Sequence, residues 1–144
     1  MIAQKHMVSV LPFNSRGEVL LQQRDHTPGI PYPGMWTIFG GAVEADDPDF
    51  ETAIRRELRE ELDIDLAVEH WHDYRCPVRS IPNELDVMVH VYTGKLDRPL
   101  DSLTLYEGQA MGWFGAAEAA GLEIAFAKKP VVLKFFAEQW GRAS

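Results

Sequence analysis

The chain has 144 residues, 46% of them hydrophobic and 25% charged, which fits one ordinary domain with ample material for a buried core. Its 14 basic and 22 acidic residues give a net charge of −8, which disfavours a general binder of nucleic-acid backbone but leaves open a phosphate substrate bridged by cations. No apolar run approaches the ~18 residues of a membrane span, the first residues lack a signal peptide's cleavage pattern, and Cys76 is the only cysteine, so a single domain over residues 1–144 in a reducing cytoplasm is expected.

Residues 6–13, HMVSVLPF, and 18–24, EVLLQQR, are rich in strand formers, and Asn14-Ser15-Arg16-Gly17 between them is turn chemistry, so a hairpin is predicted. The stretch from Asp25 to Gly34 holds three prolines and two glycines and reads as a shaped loop. Met35–Phe39 is a short apolar strand, followed by Gly40-Gly41. Asp47 suits a helix N-cap with Pro48 as the first helical residue, and the helix runs to about Leu62, where Asp63 is placed to turn left-handed.

Beyond it, 65–75 reads as extended. Residues 85–96 form the clearest strand, with Leu85, Val87, Val89 and Val91 alternating against Asp86, Met88, His90 and Tyr92. A further strand is predicted at 110–114, a small Ala-rich turn or helix at 115–121, and a terminal helix at 129–140 burying Val132, Phe135, Phe136 and Trp140. With one long helix between strands, the pattern favours a single mixed sheet covered by helices over a doubly wound parallel sheet.

The central helix carries Glu57, Glu60 and Glu61. Helical residues advance ~100° each, so with Glu57 at zero, Glu61 falls near about +40° and Glu60 near about −60°. The apolar stripe Phe50, Ile54, Leu58, Leu62 spans roughly +20° to +140° by the same rule. Glu61 therefore lies inside the core-facing stripe and Glu57 borders it. A carboxylate there is costly unless paired, protonated or bound to metal, and oxygen donors point to Mg²⁺ or Mn²⁺. The alternative is a solvated face with pairs such as Arg56–Glu60. The placement of Glu61 and the preceding glycines, which let backbone approach a ligand closely, weigh against it.

Arg56-Glu57-Leu58-Arg59-Glu60-Glu61, preceded by Gly40-Gly41, resembles the Nudix box of the Nudix hydrolases. The match holds at Gly41, Arg56, Glu57, Leu58, Glu60, Glu61 and Ile64. It departs where Asp47 stands for the first glutamate of the pattern, where one extra residue separates that position from Arg56, and where Asp63 replaces a glycine. The resemblance extends through Pro33-Gly34-Met35-Trp36 to Glu107-Gly108-Gln109 and Trp113-Phe114. It implies an α/β/α sandwich around a mixed β-sheet and hydrolysis of a nucleoside diphosphate linked to another group. Glu57, Glu60, Glu61 and the Gly41 carbonyl would bind Mg²⁺ (or Mn²⁺), and Arg56 would orient a glutamate. Glu60 and Glu107 compete as the general base. A homodimer is common in the family and is the assembly expected.

Arg24 is a candidate for phosphate contact, with a surface salt bridge as the alternative. Trp36, Phe39 and Tyr32 flank the glycine pair and are candidates for stacking on a nucleobase, against the commoner role of packing in the core. Lys128 and Lys129 read as a solvated helix start. His70 and His72 share a strand face without an apparent third ligand, so zinc is not expected. Cys76 reads as a packed thiol. Two other functions fit part of the pattern. LLQQR followed by Pro-Gly-Met-Trp resembles the isopentenyl diphosphate isomerases, but Thr37-Ile38-Phe39 stands where their catalytic cysteine falls. Nudix-like folds also serve as nucleotide sensors without catalysis, although such modules often lose the box glutamates kept here. The substrate expected is a nucleoside triphosphate, nucleotide sugar, ADP-ribose or dinucleotide polyphosphate. No nucleic-acid polymer or membrane partner is expected. Lys128-Lys129-Pro130 replaces the Asn-Glu-Pro of members that clear oxidised guanine nucleotides.

Overall fold

A computed structural model describes residues 3–79, 84–125 and 128–140, with the side chains of 3–4, 76–79, 84–86 and 139–140 outside the description. The expected roles of Leu85, Asp86, Cys76 and Trp140 concern side chains that lie outside the described residues. The described elements are β1 (Ala3–Phe13), β2 (Val19–Gln23), β3 (Trp36–Thr37), β4 (Phe39–Ala42), α1 (Phe50–Leu62), β5 (Glu69–Arg79), β6 (Glu84–Lys95), β7 (Ala110–Phe114), α2 (Ala116–Ala120) and α3 (Lys129–Phe135). A π turn, Phe136–Trp140, continues α3.

The strands form a seven-stranded mixed sheet in the order β3-β2-β1-β6-β5, with β4 also paired to β1 and β7 to β2. β1 lies parallel to β6, with Met7 opposite Val89 and Val10 opposite Tyr92; the other pairings are antiparallel. The hairpin expected at 14–17 forms: the Asn14 side-chain oxygen accepts from the N–H groups of Arg16 and Glu18, each at 3.0 Å, and Gly17 takes φ +83°. It opens at once. β1 and β2 meet only at Phe13 and Val19, after which β1 turns to β4 and β2 to β7.

Period-two alternation divides the core into two layers. Val8, Val10, Leu20, Phe39 and Tyr92 pack beneath Ile54, Leu58 and Leu62 of α1. Leu11, Val19, Leu21, Val87, Val89 and Val91 pack on the other face against Val131, Val132 and Phe135 of α3. The architecture is the expected α/β/α sandwich. Three local expectations change. The strand at 35–39 is broken at Ile38 into β3 and β4, and the glycine pair lies within β4. β5 begins only at Glu69, and its register against β6 shifts between His70 and His72. The N-cap of α1 is Asp49, whose side chain accepts from Thr52 N–H at 2.7 Å; Asp47 is not the cap and Pro48 precedes the helix. The other end is as expected, with Asp63 left-handed at φ 52° and its N–H donating to the Arg59 carbonyl at 3.0 Å.

Candidate active site

Asp47, freed from capping, holds Arg56. The two guanidinium nitrogens Nε and Nη2 donate to its two oxygens at 3.1 and 2.9 Å, a forked pair on a carboxylate with 5% of its side-chain surface exposed. The fork holds the Asp47 carboxyl below the usual range, helped by a hydrogen bond from Glu44 N–H. Arg56 also donates to the Ala42 carbonyl at 3.2 Å, to Glu57 at 3.1 Å and to Glu60 at 3.3 Å. One side chain thus ties the end of β4, the loop before α1 and two box glutamates together. The loop that departs from the Nudix-box pattern thus carries a carboxylate that Arg56 grips by both oxygens.

Helical phase carries Glu61 inward, with 2% of its surface exposed. Its Oε2 accepts from Gly40 N–H at 3.2 Å, and Gln22 also bonds its carboxyl. These bonds are outweighed. Burial first, then the charges of Glu57 and Glu107, raise its pKa from 4.5 to about 9. Glu57 is raised as well, mainly by burial and despite Arg56 beside it. Gly41 lies against the Glu57 carboxylate so closely that a Cβ there would come within 2.4 Å of Oε1. Gly40 is required for another reason: at φ +150°, a Cβ would stand 2.0 Å from the Val8 carbonyl of β1. Among the described residues Glu61 has no cationic partner. A buried carboxyl beside a half-buried one, each raised by burial and by neighbouring carboxylates, suits a divalent cation with oxygen ligands.

Gly40, Gly41 and Glu61 line a cleft of about 550 Å³ together with Glu107, Arg24 and Lys128. The Glu107 loop is tied down on both sides. Tyr106 N–H donates to the Glu61 carbonyl at 2.9 Å and Gln109 N–H to the Gln23 carbonyl at 3.0 Å. Gly108, at φ +80°, lets the loop pass the Gln23 carbonyl, which a Cβ would approach to 2.6 Å. Arg24 is held by the Pro31 carbonyl at 2.8 Å. Glu60 is exposed, rests on Arg56 and does not line the cleft.

The aromatic candidates do not reach it. Phe39 is fully buried beneath α1, and Trp36 packs edge-on against Phe114 with ring centroids 4.8 Å apart, so both serve packing. Lys128 reverses its expected role. It is buried, not solvated: its ammonium donates to Ser9 Oγ at 2.9 Å and lies 5.6 Å from the Tyr74 ring centre. Gln22 and Ser9 were also missed. Period two puts Gln22 with Leu20 on the α1 face and Ser9 with Leu11 on the α3 face, and only the packing of those helices shows that Gln22 meets Glu61, that Ser9 meets Lys128 and that both line the cleft.

The family profile described as NUDIX domain matches residues 4–135. The chain is 32% identical over 115 residues to an RNA pyrophosphohydrolase of Gluconacetobacter diazotrophicus, covering 74% of this chain and 58% of that protein. It is 31% identical over 122 residues to the CTP pyrophosphohydrolase of Escherichia coli K12, covering 84% of each. The solution structure of the E. coli ORF135 protein superposes with a TM-score of 0.75 at 26% identity, covering 99% of this chain and 96% of that one.

Proposed function

The chain belongs to the Nudix family, and from that premise we propose that it hydrolyses the diphosphate linkage of a nucleoside diphosphate joined to a second group, with Mg²⁺, or Mn²⁺ in its place, as cofactor. The observation that carries this reading is Glu61, a buried carboxyl raised to about 9 beside a second carboxylate and without a cationic partner among the described residues. Glu57, Glu60, Glu61 and the Gly41 carbonyl would hold the cation. When bound, it supplies positive charge against the diphosphate and makes a water more acidic.

The chain's own groups do the rest. We take Glu107 as the general base, since it lines the cleft with Glu61, and leave Glu57 and Glu60, both held by Arg56 at the border of that lining, to the cation. Glu107 takes the proton of the attacking water as the P–O bond of the anhydride breaks, giving two phosphate-ended products. Arg56 is a positioning residue that fixes Glu57 and Glu60 from the Asp47 fork. Arg24, which lines the cleft, would meet phosphate oxygens there. Away from the carboxylates the cleft mixes Met7, Ile38, Val87 and Val89 with Gln22, Thr37 and Lys128. Apolar walls with a few donors suit a nucleobase, and Lys128 favours one that presents a carbonyl acceptor.

CTP leads the substrate panel, given the relative named for it; ADP-ribose, a nucleotide sugar, a dinucleotide polyphosphate and an RNA with a 5′-triphosphate end complete it. The test is product analysis by phosphorus NMR with Mg²⁺, comparing wild type with Glu61→Gln. Turnover of at least one member by wild type alone supports the reading. Binding of nucleotides with no turnover would make the chain a sensor.

A further inference from the structure

We propose that His70, Asp73 and His90 form a binding site for a divalent transition metal of the zinc class, separate from the carboxylate cleft. In a regular strand, residues three apart point to opposite faces. The register shift between His70 and His72 supplies one extra residue, so His70 and Asp73 share the α1 face of β5. Trp71 packs on the opposite face against Phe135, with ring centroids 5.9 Å apart. Pairing then sets Asp73 directly opposite His90 of β6.

The three donor atoms converge. His70 Nε2 lies 2.6 Å and His90 Nδ1 2.8 Å from Asp73 Oδ1, and all three lie within 4.8 Å of one another. His90 is aimed by its surroundings. Its ring stacks on Phe50 at 3.9 Å and 17°, and its other nitrogen is 2.9 Å from His6 Nδ1. An outer hydrogen bond of this kind fixes the ring and selects the nitrogen that faces the metal. His70 and Asp73 keep 49% and 39% of their side-chain surface, so an ion has a way in.

Without metal, the two imidazole N–H groups donate to the carboxylate. With it, the ion replaces those hydrogens, and the nitrogen–oxygen contacts open to the about 3.3 Å that two bonds of ~2.05 Å subtend at a tetrahedral centre. His70 and Asp73, the two exposed members, are the side chains that would move to admit the ion. Two imidazoles and one carboxylate suit zinc, cobalt or nickel better than Mg²⁺, which prefers oxygen donors. Three protein ligands leave a fourth position for water. The surroundings are acidic: after burial, the charges of Glu51, Asp49 and Asp73 raise the Tyr92 hydroxyl on this face, and those same charges attract a cation. The ion would join β5 to β6 beside the start of α1.

The test is a Co²⁺ titration of tag-free protein in excess Mg²⁺, followed by visible absorption and by displacement with Zn²⁺. Expected is a d–d absorption saturating at a single equivalent, retained in Glu57→Gln and lost in His70→Ala and Asp73→Asn. The Zn²⁺ affinity of those two variants should fall by more than the roughly 10–100-fold that a lost outer-shell partner costs. Both positions are exposed, and near-ultraviolet circular dichroism checks their fold. Absence of the absorption in wild type, its persistence in both ligand variants, or its loss in Glu57→Gln would overturn the proposal.

Discussion

Glu61 is the residue on which chemistry and stability meet. Its carboxyl titrates near 4.5 unfolded and is raised to about 9 in the fold by burial and by Glu57 and Glu107. Between those limits the metal-free native state holds a proton that the unfolded chain releases. Stability is therefore greatest below the unfolded value and declines as pH rises, by at most about 1.4 kcal/mol per pH unit from this group. Denaturant midpoints of metal-free protein should fall from about pH 6 to about pH 9, and Glu61→Gln should flatten that fall. An unchanged slope in the variant would remove Glu61 as its cause. The same substitution, and Glu57→Gln, should lower turnover by at least about 100-fold with the native circular dichroism kept, because each deletes a proposed ligand and not an outer partner.

The loop before α1 and the glycine pair of β4 are where element-level structure determines the site. Asp47 and Arg56 form a fork that lysine cannot reproduce, since an ammonium offers no planar pair of donors. Arg56→Lys should cost roughly 100-fold in kcat/KM through misplaced glutamates, while Mg²⁺ still binds measurably. The two glycines should separate cleanly. Gly40→Ala drives a Cβ into the Val8 carbonyl at 2.0 Å and should lower stability by about 1–3 kcal/mol. Gly41→Ala meets the carboxylate end of Glu57, at 2.4 Å, and not backbone, so it should displace that carboxylate from Arg56, costing activity more than stability. Urea melts and initial rates on the two variants distinguish these outcomes.

Helical phase made Glu57 and Glu61 legible in the sequence, because 3.6-residue periodicity needs no knowledge of the partner surface. Pairing between distant strands was not legible. Lys128 looked like a solvated helix start, and only the packing of α3 on the sheet carries it to Ser9, 119 positions away in the chain. His70 lacked a third ligand on paper because a register shift and a facing strand supply Asp73 and His90. Asp47 looked like an N-cap beside Pro48, yet Asp49 had the same chemistry two residues on and left Asp47 for Arg56.

At the scale of the whole molecule, the mixed sheet separates two cores, and the cleft opens where β1, β2, β4 and the Glu107 loop meet the inner edge of α1. No helix of the described residues is long and apolar enough to cross a membrane. A cation that binds the folded chain and not the unfolded one stabilises it, so on the proposed reading Mg²⁺ should raise the melting temperature. At about 100 times its dissociation constant the gain is about 2.7 kcal/mol. Glu61→Gln should reduce that gain. The most direct test of the central claim is the initial rate of CTP hydrolysis, or of the best panel substrate, measured with and without Mg²⁺ in wild type and Glu57→Gln side by side. Hydrolysis at the diphosphate that requires both Mg²⁺ and Glu57 is the predicted result; a rate indifferent to either one contradicts it.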